Sequence, residues 1–210
     1  IAYGNTAVLK PSEEAPLTGG ILLAEIFEEA GLPPGVLNVI TSSREDAVDI
    51  GDEMIVNPAV KRISFTGSTE VGRIIAEKAG RHLKRATLEL GGKDPLIILD
   101  DADVDYAVDA ATWGAFMHQG QICMSTERII IDKKIADEFT VKLRDRALSL
   151  PMGDPTNPAT AIGPLINQRA VDLVHAHVQE AVAGGAELVC GGKYDNLVYH
   201  PTILTDVTPN

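Results

Sequence analysis

Arg62-Ile63-Ser64-Phe65-Thr66-Gly67-Ser68-Thr69-Glu70-Val71-Gly72, continued by Ile74, Ile75 and Ala79, is the stretch that decides the fold. A β-prone run ends in a small Gly-Ser turn, and apolar residues then recur at helical spacing. A second short β-prone run, Thr87 to Leu90, follows the helix. Strand, helix and strand at this spacing form a βαβ unit, whose crossover is right-handed and whose strands are parallel.

The same alternation extends in both directions. Upstream, Thr6 to Lys10 reads as a buried strand closed by Pro11, and Leu17, Ile21, Leu22, Ile26 and Phe27 fall on one side of a helix from Pro16 to Ala30. Gly31 and Pro33-Pro34 stop that helix. Val36 to Ile40 is the next strand, and residues 44 to 54 form a polar-faced helix. Downstream, Gly91-Gly92 interrupts the pattern and marks a domain boundary, giving units of residues 1–91 and 92–210. A strand at Pro95 to Leu99 precedes Asp100-Asp101-Ala102-Asp103, whose carboxylates suit the start of a helix reaching His118. Then come a turn around Cys123, a strand at Arg128 to Ile131, a helix over Ile135 to Leu150, and a loop over 151–165. A helix from Asn167 to Ala183 and strands at Glu187 to Cys190 and Thr202 to Leu204 complete the chain. The expected class is α/β.

Composition excludes several functions. The chain has 210 residues, 45% apolar and 23% charged, enough to bury a core in one large or two small domains. A net charge of −12 argues against nucleic acid as a partner, which needs clustered Lys and Arg. No apolar run approaches the roughly 20 residues that span a bilayer, so no membrane partner is expected. Two cysteines, Cys123 and Cys190, make no disulfide framework and suit a reducing compartment such as the cytoplasm.

In parallel α/β sheets, ligands bind beyond the carboxyl ends of the strands. Lys10-Pro11-Ser12-Glu13, Gly67-Ser68 and Glu89-Leu90-Gly91 all stand at such ends. Gly67-Ser68 can admit a diphosphate to a helix N-terminus, although Ser68 is also an ordinary N-cap. Neither Gly-x-Gly-x-x-Gly nor Gly-x-x-x-x-Gly-Lys-Ser/Thr occurs. Lys10 and Glu13 can hold a ribose; alternatively, Ser12 caps a helix and Glu13 complements its dipole. Cys123, after Gln119-Gly120-Gln121-Ile122, is either a nucleophile or a buried inert thiol. Glu89 ends an apolar run; buried there it would have the raised pKa of a general base, and otherwise it faces solvent. His118 offers a second partner for Cys123, without a residue to orient its imidazole. Cys190 reads as structural. His175 and His177 do not share a helical face, and no metal site is expected.

Taken in order, these pieces resemble the NAD(P)-dependent aldehyde dehydrogenase superfamily across essentially the whole chain. Lys10-Pro11-Ser12-Glu13 is similar to its adenosine-ribose segment, and Phe65 to Gly72 to its pyrophosphate turn and helix. Glu89-Leu90-Gly91-Gly92-Lys93 resembles the general-base signature, and Gly120-Gln121-Ile122-Cys123 the nucleophile signature. Gly163-Pro164-Leu165-Ile166 and Pro201-Thr202-Ile203-Leu204 match later segments. The resemblance implies a partial Rossmann-like parallel sheet, the cofactor-binding part, followed by an α/β catalytic domain.

It also implies a mechanism. Cys123 attacks an aldehyde and Glu89 activates the water that hydrolyses the resulting thioester, while Lys10, Ser12, Glu13, Gly67, Ser68, Leu90 and Gly91 serve the cofactor. The backbone N–H of Cys123 would be one oxyanion donor, a contribution of ~2.7–4 kcal/mol. Glu13 favours NAD, since a carboxylate repels a 2′-phosphate; NADP is the alternative, with Lys10 offsetting that repulsion. Met117 to Ser125 resembles the nucleophile region of aromatic-aldehyde oxidisers, and the family's members are homodimers or homotetramers. Competing classes are a non-catalytic nucleotide-binding relative, a thiol hydrolase or acyltransferase, and coenzyme-A-acylating members.

The chain opens at Ile1-Ala2-Tyr3 and stops at Thr208-Pro209-Asn210, so both ends read as cuts through a longer protein. The family's Pro-Trp-Asn segment, with the second oxyanion donor, is expected before Ile1. Its Glu-x-Phe-Gly-Pro segment, which holds the nicotinamide ribose, is expected after Asn210. The 210-residue polypeptide by itself is therefore expected to show little or no aldehyde-dependent reduction of NAD, followed by absorbance of the reduced cofactor. A competent rate would refute this.

Overall fold

The computed structural model describes residues 1–208, which divide into two units, the first Ile1–Leu90 and the second beginning at Gly91. In the first unit, β1 (Ala7–Leu9) pairs in parallel with β2 (Leu37–Val39), and β3 (Arg62–Gly67) with β4 (Arg85–Leu90). The helices between them are α1 (Leu22–Glu29), α2 (Ala47–Val56) and α3 (Thr69–Arg81). α1 is preceded by a wider, π-helical turn at Leu17–Ile21, where the Ile21 N–H reaches back to the Pro16 carbonyl at 3.2 Å. The apolar stripe expected on this helix forms but is not buried: Leu17 is 66% and Ile26 54% exposed.

α2 and α3 are tied by Lys78 to Asp52 at 2.5 Å, and Lys84 donates to the Asn57 carbonyl at 2.6 Å. Both contacts are partly exposed and contribute modestly. Closer packing comes from Gly72 on α3, where an added Cβ would lie 2.6 Å from a Leu90 methyl of β4. The absent side chain lets helix and strand touch.

In the second unit, β5 (Asp94–Ile98) and β6 (Thr126–Ile131) are parallel, connected through α4 (Val104–Phe116). Asp103 caps α4, its carboxylate accepting from the Tyr106 N–H at 3.1 Å. Strand alternation turns Leu96, Ile98, Ile129 and Ile131 toward a core with Ala107, Val108 and Ala111 of α4 and Phe139 and Leu143 of α5 (Ala136–Leu148). Each large apolar side chain so buried stabilises the fold by ~1.5–3 kcal/mol. Ile97 and Ile130, paired across the ladder, point to the other face and are 63% and 48% exposed.

A second core gathers Leu165, Val171 and Val178 under Tyr199, the latter two valines on α6 (Gln168–Ala183). β7 (Glu187–Cys190) runs antiparallel to β10 (Ile203–Thr205), and the hairpin β8 (Tyr194–Asp195) and β9 (Val198–Tyr199) lies between them in sequence. The sequence reading had no strands there. Its helix to His118 also ends earlier, at Phe116, because the chain turns left-handed at His118.

Gly191 is the tightest backbone approach in this part. Its φ is +80°, and an added Cβ would lie 2.2 Å from the Pro201 carbonyl oxygen and 2.7 Å from the Thr202 Cα. Gly191→Ala is expected to cost about 2–5 kcal/mol, combining left-handed strain with overpacking against backbone. A lowered urea midpoint with an unchanged slope would register it; wild-type stability would contradict the close approach.

Candidate functional site

The first unit places one group of expected site residues at strand ends. β3 and β4 pair residue for residue, with Thr66 opposite Glu89 and Gly67 opposite Leu90. Adjacent strands lie ~4.8 Å apart, so the Gly67-Ser68 turn and the Glu89-Leu90 end are immediate neighbours. Ser68 caps α3 by accepting from the Val71 N–H at 3.3 Å, and its carbonyl accepts from the Gly72 N–H at 2.9 Å. The N–H groups of Thr69 and Glu70 stand in the first turn of α3, where a helix offers them no intrahelical acceptor. A helix N-terminus of this kind fits a diphosphate. Capping by Ser68 is thus geometrically compatible with an anion at this helix N-terminus. Glu89 is exposed, so the burial considered for it is not found.

The second group in this unit follows β1. Pro11 is buried against Gly20, where an added Cβ would come within 2.7 Å of its ring. Lys10 is half-buried and its Nζ donates to the Pro11 carbonyl at 3.2 Å. The Ser12 hydroxyl accepts from the Glu14 N–H at 3.2 Å in a local turn. Ser12 therefore caps no helix, and the first helical turn begins only at Leu17. Glu13 stands 3.9 Å from the Arg44 guanidinium in an ion pair that is largely open on the arginine side. A carboxylate with the Arg44 guanidinium beside it can accept hydrogen bonds from ribose hydroxyls, which fits the ribose of a dinucleotide.

The second unit holds the thiol. After α4 ends, His118 (φ 49°, ψ 34°), Gln119 (φ 59°, ψ 30°) and Gly120 (φ 71°) all adopt left-handed geometry. Two of the three are not glycine, and each such residue costs ~1–2 kcal/mol. Ile122 to Ser125 then closes a turn, with the Ser125 N–H donating to the Ile122 carbonyl at 3.1 Å. Cys123 sits in it as a free, exposed thiol, which removes the buried-thiol alternative. What His118 gives this turn is its backbone carbonyl, which accepts from the Gln121 N–H at 3.1 Å and the Gln121 side-chain amide at 3.3 Å. Ser125 is 4% exposed, and its hydroxyl lacks a partner among the described residues.

The turn is tied to a distant loop. The Gln121 amide oxygen accepts from the Ile166 N–H at 3.0 Å. Gln119, with its amide oxygen facing Gly163, accepts from the Gly163 N–H at 2.9 Å and donates to the His118 carbonyl at 3.2 Å. From the sequence, Gly163 to Ile166 enters only through its resemblance to a later family segment. No sequence signal fixed these contacts, because glutamine amides bind backbone from many positions.

Glu89 and Cys123 lie in different units. Gly91, which opens the second unit, has open space where a side chain would stand. Among the described residues, no three His, Cys, Asp or Glu side chains gather as metal ligands, and no helix is long and apolar enough to cross a membrane.

The two thiols differ in exposure. Cys190 is half-buried and donates toward the Pro201 carbonyl at 3.7 Å; burial pushes its thiol pKa up. Since the thiolate is the reactive species, iodoacetamide at pH ~8 is expected to modify Cys123 at least ~10-fold faster than Cys190. Peptide mass mapping over time measures the ratio, and equal rates would contradict the exposure difference.

The sequence profile of the aldehyde dehydrogenase family matches residues 1–210. Over 207 residues the chain is 49% identical to a vanillin dehydrogenase of Pseudomonas fluorescens, covering 99% of this chain and 43% of that protein. It is 46% identical over 209 residues to a benzaldehyde dehydrogenase [NAD(+)] of Pseudomonas putida, covering 100% and 42%. The crystal structure of a salicylaldehyde dehydrogenase from Pseudomonas putida G7, complexed with salicylaldehyde, superposes with a TM-score of 0.94 at 48% identity, covering 98% of this chain and 42% of that one. The chain thus spans less than half the length of the relatives it matches.

Proposed function

Because the chain belongs to the aldehyde dehydrogenase family, we propose that the protein oxidises an aldehyde, of the aromatic class, to its carboxylic acid with NAD, and with NADP as a weaker cofactor. The observation that carries this reading is the profile match along the whole chain, combined with an exposed Cys123 at a constrained turn. The vanillin, benzaldehyde and salicylaldehyde dehydrogenases among the relatives support the aromatic class.

The residues divide the work between the units, the first binding cofactor and the second carrying the thiol. Lys10, Ser12 and Glu13 hold the adenosine ribose; Gly67 and Ser68, with the N-terminus of α3, receive the diphosphate; Leu90 and Gly91 line the approach to it. The nicotinamide cofactor, when bound, accepts the hydride. Cys123 attacks the aldehyde carbon as a thiolate and carries the acyl group as a thioester, splitting one difficult oxidation into two easier steps. Its backbone N–H stabilises the oxyanion formed on the carbonyl oxygen. Glu89 takes a proton from water, which releases the acid and the thiolate. Arg44 beside Glu13 tempers the repulsion of a 2′-phosphate, which supports a preference for NAD over NADP rather than an exclusion. We place the protein in the cytoplasm as a homodimer or homotetramer. The open apolar residues Leu17, Ile26 and Ile97 support a reading in which further chain or a second subunit covers them.

In the full-length protein with NAD and a panel of aromatic and aliphatic aldehydes, Cys123→Ala is expected to abolish cofactor reduction. Glu89→Gln is expected to slow steady turnover by ~10²–10⁴-fold while sparing a first-turnover burst, provided deacylation limits the wild type. Ester hydrolysis without NAD and without aldehyde oxidation would favour a thiol hydrolase instead. NAD binding without any turnover would favour a non-catalytic relative.

A further inference from the structure

We propose that Gln121 and Gln119 are positioning residues for the Cys123 thiol: their side-chain amides lock the left-handed turn onto the Gly163–Ile166 segment. This rests on the reading of Cys123 as the nucleophile.

The geometry is that of a double staple. Each glutamine uses both ends of its amide. The NH₂ group donates to the His118 carbonyl, at 3.3 Å from Gln121 and 3.2 Å from Gln119. The oxygen accepts a backbone N–H of the loop, from Ile166 at 3.0 Å and from Gly163 at 2.9 Å. Only a primary amide of this length does both. A carboxylate keeps the acceptor but loses the donor, and it repels the carbonyl; a thioether keeps the length and loses both.

The two ends of the staple differ in rigidity. The turn is strained, with two non-glycine residues at positive φ, so by itself it would relax. The loop is anchored: Leu165 is 5% exposed in the core with Val171, and its N–H donates to the Leu197 carbonyl at 2.8 Å. Strain at the turn is therefore held by a segment fixed elsewhere in the same unit. Cys123 follows Gln121 by two residues, so relaxation of the turn rotates the Sγ away from its direction of attack. Misplacing a nucleophile by ~1 Å costs on the order of 10²-fold in rate.

The test measures the pre-steady-state burst of reduced cofactor, the KM for aldehyde and the melting temperature in the full-length enzyme. Gln121→Met is expected to slow the burst by about 100-fold. Gln121→Glu and Gln119→Glu, which keep the shape and the acceptor, are each expected to slow it about 10-fold. In all three the aldehyde KM and the melting temperature stay near wild type, and iodoacetamide still reaches Cys123, because the thiol is displaced rather than buried. A wild-type burst in the Glu variants and in Gln121→Met overturns the proposal. So does a loss that follows the melting temperature from variant to variant, which marks a purely structural role. If Gln121→Met does not fold, the two isosteric Glu variants decide by the same criteria. Turnover surviving in Cys123→Ala would instead sink the underlying reading, leaving the two failures distinct.

Discussion

The unshifted parallel register of β3 on β4 is the constraint on which the strand-end cluster of the first unit depends. Opposing Thr66 to Glu89 and Gly67 to Leu90 brings two stretches remote in sequence to one end of the sheet. A slip of one residue would turn Glu89 to the opposite face and shift the Gly67-Ser68 turn along the strand. The register is protected by packing: Leu90 fills the space that Gly72 leaves open on α3, so helix, turn and strand end are fitted as one piece. Sequence alternation sets the strands, but this glycine sets how closely the helix lies on them.

The thiol half solves a related problem by different means. No ladder holds Cys123; a helix ends, three residues wind left-handed, and the chain then enters β6. Strained backbone of this kind persists only where the surroundings over-determine it. Here the surroundings are the amides of Gln119 and Gln121 and the backbone of the Gly163–Ile166 segment. The buried, unpartnered Ser125 hydroxyl nearby is a further departure from ordinary polar satisfaction.

Much of this was legible in the sequence, for stated physical reasons. The βαβ alternation follows from periodicity, and each parallel strand pair in the structure joins runs that the pattern had marked as β-prone. Ser68 and Asp103 behave as the helix starts that their positions imply. What stayed hidden involves either very short elements or backbone that composition does not betray. The β8–β9 hairpin has two residues per strand, too few for an alternation to register, and turns through Asn196 at φ 53°. The left-handed turn at His118 and Gln119 carries glycine at only one of its three positions. Ser12 looked like a helix cap because a helix does follow, but Pro16 and a π-helical turn delay it. The tasks of the site residues were read from resemblance and strand ends; for Glu89 the strand end left burial and exposure both open, and the exposed alternative is the one the structure holds.

The position of Cys123 between α4 and β6 has a consequence for the order of folding. A parallel ladder cannot zip from a tight turn; β5 and β6 meet only after the intervening chain has paid its loop-closure entropy. The cysteine lies inside that intervening chain, with one flank fixed by the end of α4 and the other by the start of β6. Its native surroundings are therefore complete only once the ladder has closed and the Gly163–Ile166 loop, later still in the chain, has arrived. Until those segments are in place, the amides of Gln119 and Gln121 lack their partners in the loop, and the left-handed turn before Cys123 has nothing to hold it.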